Sequence, residues 1–386
     1  MRFLTAGESH GKELVLIIDG FPSNVKISEE KINYHLARRQ MGYGRGERMN
    51  IETDKAEIIS GIRFGKTTGA PITIKIKNKD YENWLEQMSV FKDNSNKFKK
   101  LLLPRPGHSD LCGFIKYQLD DIRNVLERSS ARETATRVAA GALCRIFLDY
   151  FNIDIVSHTI SIGEIKIKNR YNYFEIKKIQ DDNILRCIEK EVEKKMLDLI
   201  AKIRNKGDTI GGVFEVIIHN IFIGLGSYVH FDARLDAKLA AAIMSIPGIK
   251  GVEIGAGFDG TKLSGSQFHD EFDFLKDRII RKTNNAGGIE GGISNGEDII
   301  IHGAIKPIPT LINSLQSVNL KTYKKEKAIV ERSDVCVVPA AGVVAEAMAA
   351  IVISNEILNF FGEGSIEQIL KRYKEYKKYL KKKKVI

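Results

Sequence analysis

With 386 residues, 43% hydrophobic and 28% charged, the chain has the composition of a folded globular protein and can bury a sizeable core, which excludes a disordered or fibrous polypeptide. The net charge of +11 hints at nucleic acid, yet residues 370–386 hold nine Lys/Arg against Glu375, leaving only about +3 on the rest. That tail reads as a solvated helix end that frays, and neither nucleic acid nor a membrane is expected as a partner.

In chain order, Met1-Arg2-Phe3-Leu4 runs straight into Gly7-Glu8-Ser9-His10-Gly11, so no signal or transit peptide is expected. Residues 14–18 and 72–76 read as short strands, the second alternating apolar with polar side chains. Ser28 is placed to cap a helix whose first turn carries Glu29 and Glu30, with Ile32, Leu36 and Ala37 facing inward. It runs out into the glycine-punctuated loop Gly42-Tyr43-Gly44-Arg45-Gly46, and the polar, irregular stretch 78–100 suggests a surface excursion or lid. Ser130-Ala131-Arg132-Glu133 matches a capping box, and Ala135, Ala139, Ala142, Ile146 and Tyr150 keep the spacing of a buried helical stripe.

The charged region 166–206 predicts exposed helix. Asp232 is placed to open a helix with Leu235, Leu239, Ile243 and Ile246 on one face, and residues 211–218 and 299–305 read as strands. Residues 335–353 are apolar over about a bilayer's thickness. They contain Pro339, Gly342 and Glu346 and are mostly Ala and Val, which favours a buried helix over a membrane span. A faint repeat, in which residues 61–65 lead into 72–76 as 292–296 lead into 299–302, is consistent with two similar sheet halves. Four widely spaced cysteines (Cys112, Cys144, Cys187, Cys336) without a CxxC pair suit reduced thiols in a cytoplasmic protein. Clustered strands and the lack of a Pro/Ser-rich linker predict one α+β domain over 1–369, followed by the basic tail 370–386.

Four clusters combine glycine or a small residue with Arg, Lys or His: Gly7-Glu8-Ser9-His10-Gly11; Arg38-Arg39 with Arg45 and Arg48; Arg105-Pro106-Gly107-His108-Ser109-Asp110; and Arg128-Ser129-Ser130-Ala131-Arg132-Glu133. Small residues let backbone amides approach a ligand, and arginines beside free helical N–H groups suit an oxyanion or phosphate. Each cluster alone is weak, being also a turn, a solvated face or a helix cap. Together, without a P-loop, zinc spacing or nucleophile elbow, they point to a pocket for a ligand of many negative charges. His10 and His108 are the candidate acid/base pair, since imidazole exchanges protons near neutrality. Further on, Lys306-Pro307-Ile308-Pro309-Thr310 forms an extended ledge, and Glu331-Arg332-Ser333-Asp334 precedes the apolar helix.

GESHG, RPGHSD, RSSARET, GDTIGG, KGVEIGAGF, NNAGGIEGG, KPIPT and ERSD, in this order across almost the whole chain, closely resemble the chorismate synthase family. The resemblance implies a carbon–oxygen lyase that eliminates phosphate from 5-enolpyruvylshikimate 3-phosphate in a 1,4-anti sense, giving chorismate for aromatic amino acid biosynthesis. Reduced FMN is required, with no net redox change.

It further implies that His10 protonates the departing phosphate, that His108 steadies the anionic reduced flavin near N1, and that Asp334 assists proton removal through flavin N5. Ser9, Arg39, Arg45, Arg48 and Arg132 would hold the substrate, with Arg332 between substrate and flavin. Arg128, Ser129, Ser130, Pro247, Gly248, Gly291, Lys306, Pro307, Ile308, Pro309, Thr310 and Arg332 would bind FMN, and Arg39 and Arg45 would also contact NADPH if it serves as reductant. The implied fold packs helices between two antiparallel sheets, as a β-α-β sandwich, in a homotetramer supplied with reduced flavin from outside. Gly248 and Ser109 stand where Ala is frequent in the family, and the basic tail lies outside the pattern. Two rivals predict different behaviour: a basic protein that grips RNA or phosphorylated ligands without chemistry, and a flavoenzyme that consumes one reductant per turnover.

Overall fold

The computed structural model describes residues 1–46, 52–91, 95–179, 183–331 and 333–385. Two antiparallel sheets carry the architecture. The first contains β1 (Arg2–Ala6), β2 (Glu13–Asp19), β3 (Ala56–Ser60) and β4 (Ile72–Lys77) in the order β1-β2-β4-β3. Leu14, Leu16 and Ile18 pair with Ile76, Ile74 and Ile72, and all six side chains are buried. The alternation read in 72–76 is therefore the inward face of a central strand. The second sheet contains β5 (Asp154–Ile162), β6 (Ile165–Lys166), β7 (Gly212–His219), β8 (Ile249–Ile254) and β9 (Ile299–Ile305) in the order β8-β9-β7-β5-β6. The two halves of the sequence repeat are not equivalent: Ile62–Arg63 is the first strand of its hairpin and Ile293–Ser294 the second strand of the other, although each hairpin precedes a sheet strand.

The main helices are α1 (Glu29–Gln40), α2 (Asp110–Lys116), α3 (Arg123–Ser129), α4 (Thr134–Leu148), α5 (Lys190–Asn205), α6 (Leu235–Met244), α7 (Val338–Phe361) and α8 (Ile366–Lys382). Helix α4 packs on β2 and β4, α7 packs on β5 and β7, and the two helices pack on each other. Their alanine-rich faces permit a very close approach: a Cβ on Gly141 would lie 2.3 Å from that of Ala347. Mixed helix and antiparallel sheet make the fold α+β, as expected.

Helix α7 alone among the described helices has the length and apolarity to cross a membrane, but 89% of its apolar window is buried inside the protein. Its Glu346 explains the paradox of a charge in such a helix, because Arg38, Arg145 and Arg186 surround it. The same contact corrects the expected face of α1. Ile32 and Leu36 are buried, but Ala37 is exposed and Arg38 and Arg39 turn inward instead, since ion pairing outweighs apolarity there.

Other expectations shift locally. Ser130 caps a short 3-10 turn, Ala131–Glu133, rather than α4 directly, and Glu133 pairs with Arg137 instead of closing a capping box. Asp232 lies in another 3-10 turn, Phe231–Ala233, ahead of α6, while Leu235, Leu239, Ile243 and Ile246 are buried as expected. Helix α5 is not wholly exposed: Val192, Met196 and Ile200 are buried. Through Lys382 the basic segment is helical rather than a frayed end. It lies in α8, whose Ser365 forms a capping box, whose Ile369 and Leu380 are buried and whose Tyr376 hydroxyl donates to the Ile223 carbonyl at 3.0 Å. Deleting 370–386 would strip that apolar face from the core. Replacing Lys381, Lys382, Lys383 and Lys384 by glutamine is the cleaner experiment, and turnover should stay within about twofold because none of these side chains lines the cationic cavity. A large loss of turnover would assign the tail a role in the reaction.

Candidate active site

One cavity of about 650 Å³ gathers the loops between these elements. Ser9, His10, Arg39, Arg45, His108, Arg128, Ser129, Ser130, Arg132, Pro247, Gly248, Lys306, Pro307, Ile308, Pro309, Thr310 and Asp334 all line it. Arg105, which heads one of the four clusters, lines it too, as do Arg137 and Glu331, to which the sequence reading gave no role. Gly291 does not: it sits in the 289–294 hairpin, away from the cavity wall. Arg48 and Arg332 lie outside the described residues.

The lining includes seven Arg/Lys side chains (Arg39, Arg45, Arg105, Arg128, Arg132, Arg137, Lys306) against the carboxylates of Glu133, Glu331 and Asp334. That imbalance suits a polyanionic ligand. Burial, reinforced by Lys250, pulls the Lys306 ammonium below its usual pKa range, an effect that a bound anion would oppose. The lysine is nonetheless oriented, donating to the Gly107 carbonyl at 2.5 Å.

The buried guanidiniums are held by carboxylates. Arg39 donates to Oδ2 of Asp54 at 2.6 Å, and Arg132 donates to Oδ1 of the same group and, through Nε, to Asn78 at 2.8 Å. Burial opposes ionisation of Asp54, but Arg39 and then Arg132 overcome it and keep its pKa low. This shared carboxylate fixes two cations side by side while cancelling part of their charge.

Both candidate histidines sit in His–carboxylate–Arg arrangements. His10 Nδ1 lies 2.9 Å from Glu127 Oε1, the backbone N–H of His10 donates to Oε2 at 2.7 Å, and Arg123 approaches the same carboxylate at 3.4 Å. His108 Nδ1 lies 2.5 Å from Asp110 Oδ1, while Arg105 donates to Asp110 Oδ2 at 2.8 Å and to Thr310 Oγ1 at 2.8 Å. Burial alone would raise the Asp110 carboxyl, but hydrogen bonds from His108 and Arg105 hold it well below its ordinary pKa. An ionised carboxylate can only accept, so Nδ1 must be the donor in each ring. Asp334 completes the wall. It accepts the Gly46 N–H at 2.5 Å and faces Arg45 at 3.5 Å, which ties the 42–46 loop to the segment before α7.

The chorismate synthase family model matches residues 1–358. The chain belongs to the chorismate synthase family. A chorismate synthase of Alkaliphilus metalliredigens (strain QYMF) is 52% identical over 376 residues, covering 97% of this chain and 99% of that one. Another, from Sulfurihydrogenibium sp. (strain YO3AOP1), is 52% identical over 390 residues and covers 98% of each. A solved structure titled "Crystal Structure of Chorismate Synthase" superposes with a TM-score of 0.80 at 40% identity, covering 99% of this chain and 98% of that one.

As a chorismate synthase family member the chain is a carbon–oxygen lyase of aromatic amino acid biosynthesis. The family motifs explain why Arg105 could have been found, because it begins RPGHSD. Glu127 and Arg137 gave no such signal. Glu127 meets His10 across 117 residues, and Arg137 looks locally like an ordinary i+4 partner of Glu133.

Proposed function

We propose that this enzyme carries out the reduced-FMN-dependent 1,4-anti elimination of phosphate from 5-enolpyruvylshikimate 3-phosphate. The observation that carries the proposal is the meeting of His10, His108 and Asp334 in one strongly cationic cavity. The residues fit a flavin phosphate and a flat ring. Pro307 and Pro309 stiffen one wall, Ser129, Ser130 and Arg128 border another, and Gly107 (φ +80°) takes a left-handed backbone turn that glycine adopts without strain. When bound, reduced FMN supplies a transient electron that weakens the allylic carbon–oxygen bond without net oxidation.

The protein's own residues do the rest. Arg39, Arg45 and Arg132, with Ser9, hold the phosphate and carboxylates, and Arg48 is assigned to the same set. His10 donates a proton to the departing phosphate. His108, backed by Asp110 and Arg105, favours negative charge beside it, and Asp334 assists removal of the proton from the ring carbon. Lys306 to Thr310, Pro247, Gly248 and Arg128 to Ser130 are assigned to FMN, with Arg332. Gly291 would need another chain or a ligand reaching beyond the cavity to share that role. NADPH at Arg39 and Arg45, a cytoplasmic setting, an outside source of reduced flavin and a homotetramer belong to the same reading. So do a single catalytic domain, with the basic tail outside its machinery, and a layered fold with α4 and α7 between the two sheets.

An anaerobic assay of the purified chain with dithionite-reduced FMN, followed by chorismate absorbance, tests the reaction. Phosphate and chorismate should form in equal amounts with no stoichiometric consumption of reductant; one reductant spent per phosphate would defeat the elimination. Asp334→Asn should slow turnover and leave FMN affinity within about threefold, because an amide oxygen can still accept the Gly46 N–H. Loss of FMN binding in that variant would make the carboxylate structural.

A further inference from the structure

His10 projects from a loop, GESHG, that has no regular structure of its own to fix a ring. Its orientation comes instead from α3. Glu127 takes both the backbone N–H and Nδ1 of His10, and the Ser9 N–H donates to the Glu127 carbonyl at 2.9 Å. The Glu127 side chain is 1% exposed. Trp84 covers one ring face, stacked at 4.1 Å between centroids with a 29° tilt. Arg123 sits 5.0 Å from the Trp84 ring, approaches Glu127 at 3.4 Å and donates to Glu331 on the cavity wall at 3.0 Å.

We infer that Glu127 is a positioning residue for His10, holding Nδ1–H so that Nε2 is the nitrogen offered to the cavity and balancing the imidazolium among the surrounding arginines. A carboxylate on Nδ1 selects the tautomer and orientation of the ring, as in other His–carboxylate pairs. It also stabilises the charged ring electrostatically. The reciprocal effect is visible on the partner: burial opposes ionisation of Glu127, yet hydrogen bonding and charge from His10 hold its pKa below the ordinary value. Asp110 does the same for His108, but Arg105 engages both its oxygens. Glu127 is the less neutralised of the two, since Arg123 reaches it only at 3.4 Å. A better-charged carboxylate belongs behind the histidine that must arrive protonated.

The kinetic part of this inference rests on the proposed elimination; the geometric part does not. In Glu127→Gln, kcat should fall about 10- to 100-fold while KM for the substrate moves by less than about threefold. Trp84 is the sole tryptophan of the chain, so its emission in the full-length, flavin-free protein reports the charge of the ring stacked on it. The pH midpoint of that emission should move to lower pH in Glu127→Gln and move less in Glu127→Asp. A fall in kcat with an unmoved midpoint would make Glu127 structural and overturn the inference, as would unchanged kinetics and midpoint together. A shifted midpoint in a protein whose wild type makes no chorismate would retain the positioning role and reject the elimination. Should the variants fail to fold, the nitrogen-15 shifts of wild-type His10 decide: a neutral ring protonated on Nδ1 supports the inference, and one protonated on Nε2 overturns it.

Discussion

Replacing His10 or His108 by alanine is expected to slow phosphate release by about 10- to 10⁴-fold, the scale on which positioned acid/base groups act. The two losses should differ in kind. His10 is held by Trp84 and Glu127 in a loop that Asn78 ties to the Arg39–Asp54–Arg132 cluster, so its removal takes a proton donor from the phosphate pocket. His108 lies by Arg105, Thr310 and Lys306, in the wall assigned to the flavin. His10→Ala should therefore lower kcat with little change in flavin affinity, whereas His108→Ala should also weaken binding of the reduced flavin. Stopped-flow phosphate release and a flavin titration separate the two. Near-normal release in both variants would remove both assignments.

What the sequence disclosed follows from how far each signal reaches. Alternating Ile72, Ile74 and Ile76 disclosed a strand, and Ser28 disclosed a helix start, because both are written within a few residues. The cavity was legible for a related reason: glycine-bounded Arg and His clusters are local, and a polyanion site needs many of them. Their partners were not legible. Arg39 and Arg45 read equally well as a solvated face until Asp54 and Asp334 are seen opposite them. Glu127, Asp54 and Asp110 all act across a fold that no periodicity encodes, and only Asp110 lies inside a recognisable motif. The same blindness placed Ala37 inward and grouped Arg38 with the anion-binding clusters, whereas Arg38 pairs with Glu346 and does not line the cavity. The basic tail misled for a different reason, since its charge is real but rides on a helix whose other face carries Ile369, Tyr373 and Tyr376.

Glu346→Gln should destabilise the fold by about 3–5 kcal/mol, the usual cost of leaving a buried charge without its partner. The carboxylate is 1% exposed and accepts a two-pronged grip from Arg38 at 2.6 and 2.9 Å, with further bonds from Arg145 and Arg186, each at 3.2 Å, and from Ser157 at 2.6 Å. An amide keeps the shape and loses the charge, stranding three guanidiniums around the middle of α7. Urea unfolding at pH 7 measures the effect, and a loss below about 1 kcal/mol would mean that the cluster is cancelled by desolvation.

The pH dependence has a definite sign. Burial opposes ionisation of Glu346, but Arg38, Arg186 and Arg145 hold its pKa in the fold below the unfolded value. Its stabilisation is therefore complete above about pH 4.3 and is lost as pH falls toward the folded value. His35 adds to this from the same cluster, its pKa pushed down to about 3 by burial and then by Arg145 and Arg38. Because that too lies below the unfolded value, a neutral His35 favours the fold above about pH 6.5, and the contribution drains as pH falls from there. The wild type should thus begin to weaken near pH 6 and weaken faster below pH 4. The gap between wild type and Glu346→Gln should stay constant down to about pH 4 and narrow below it, where the native carboxylate loses its advantage over an amide.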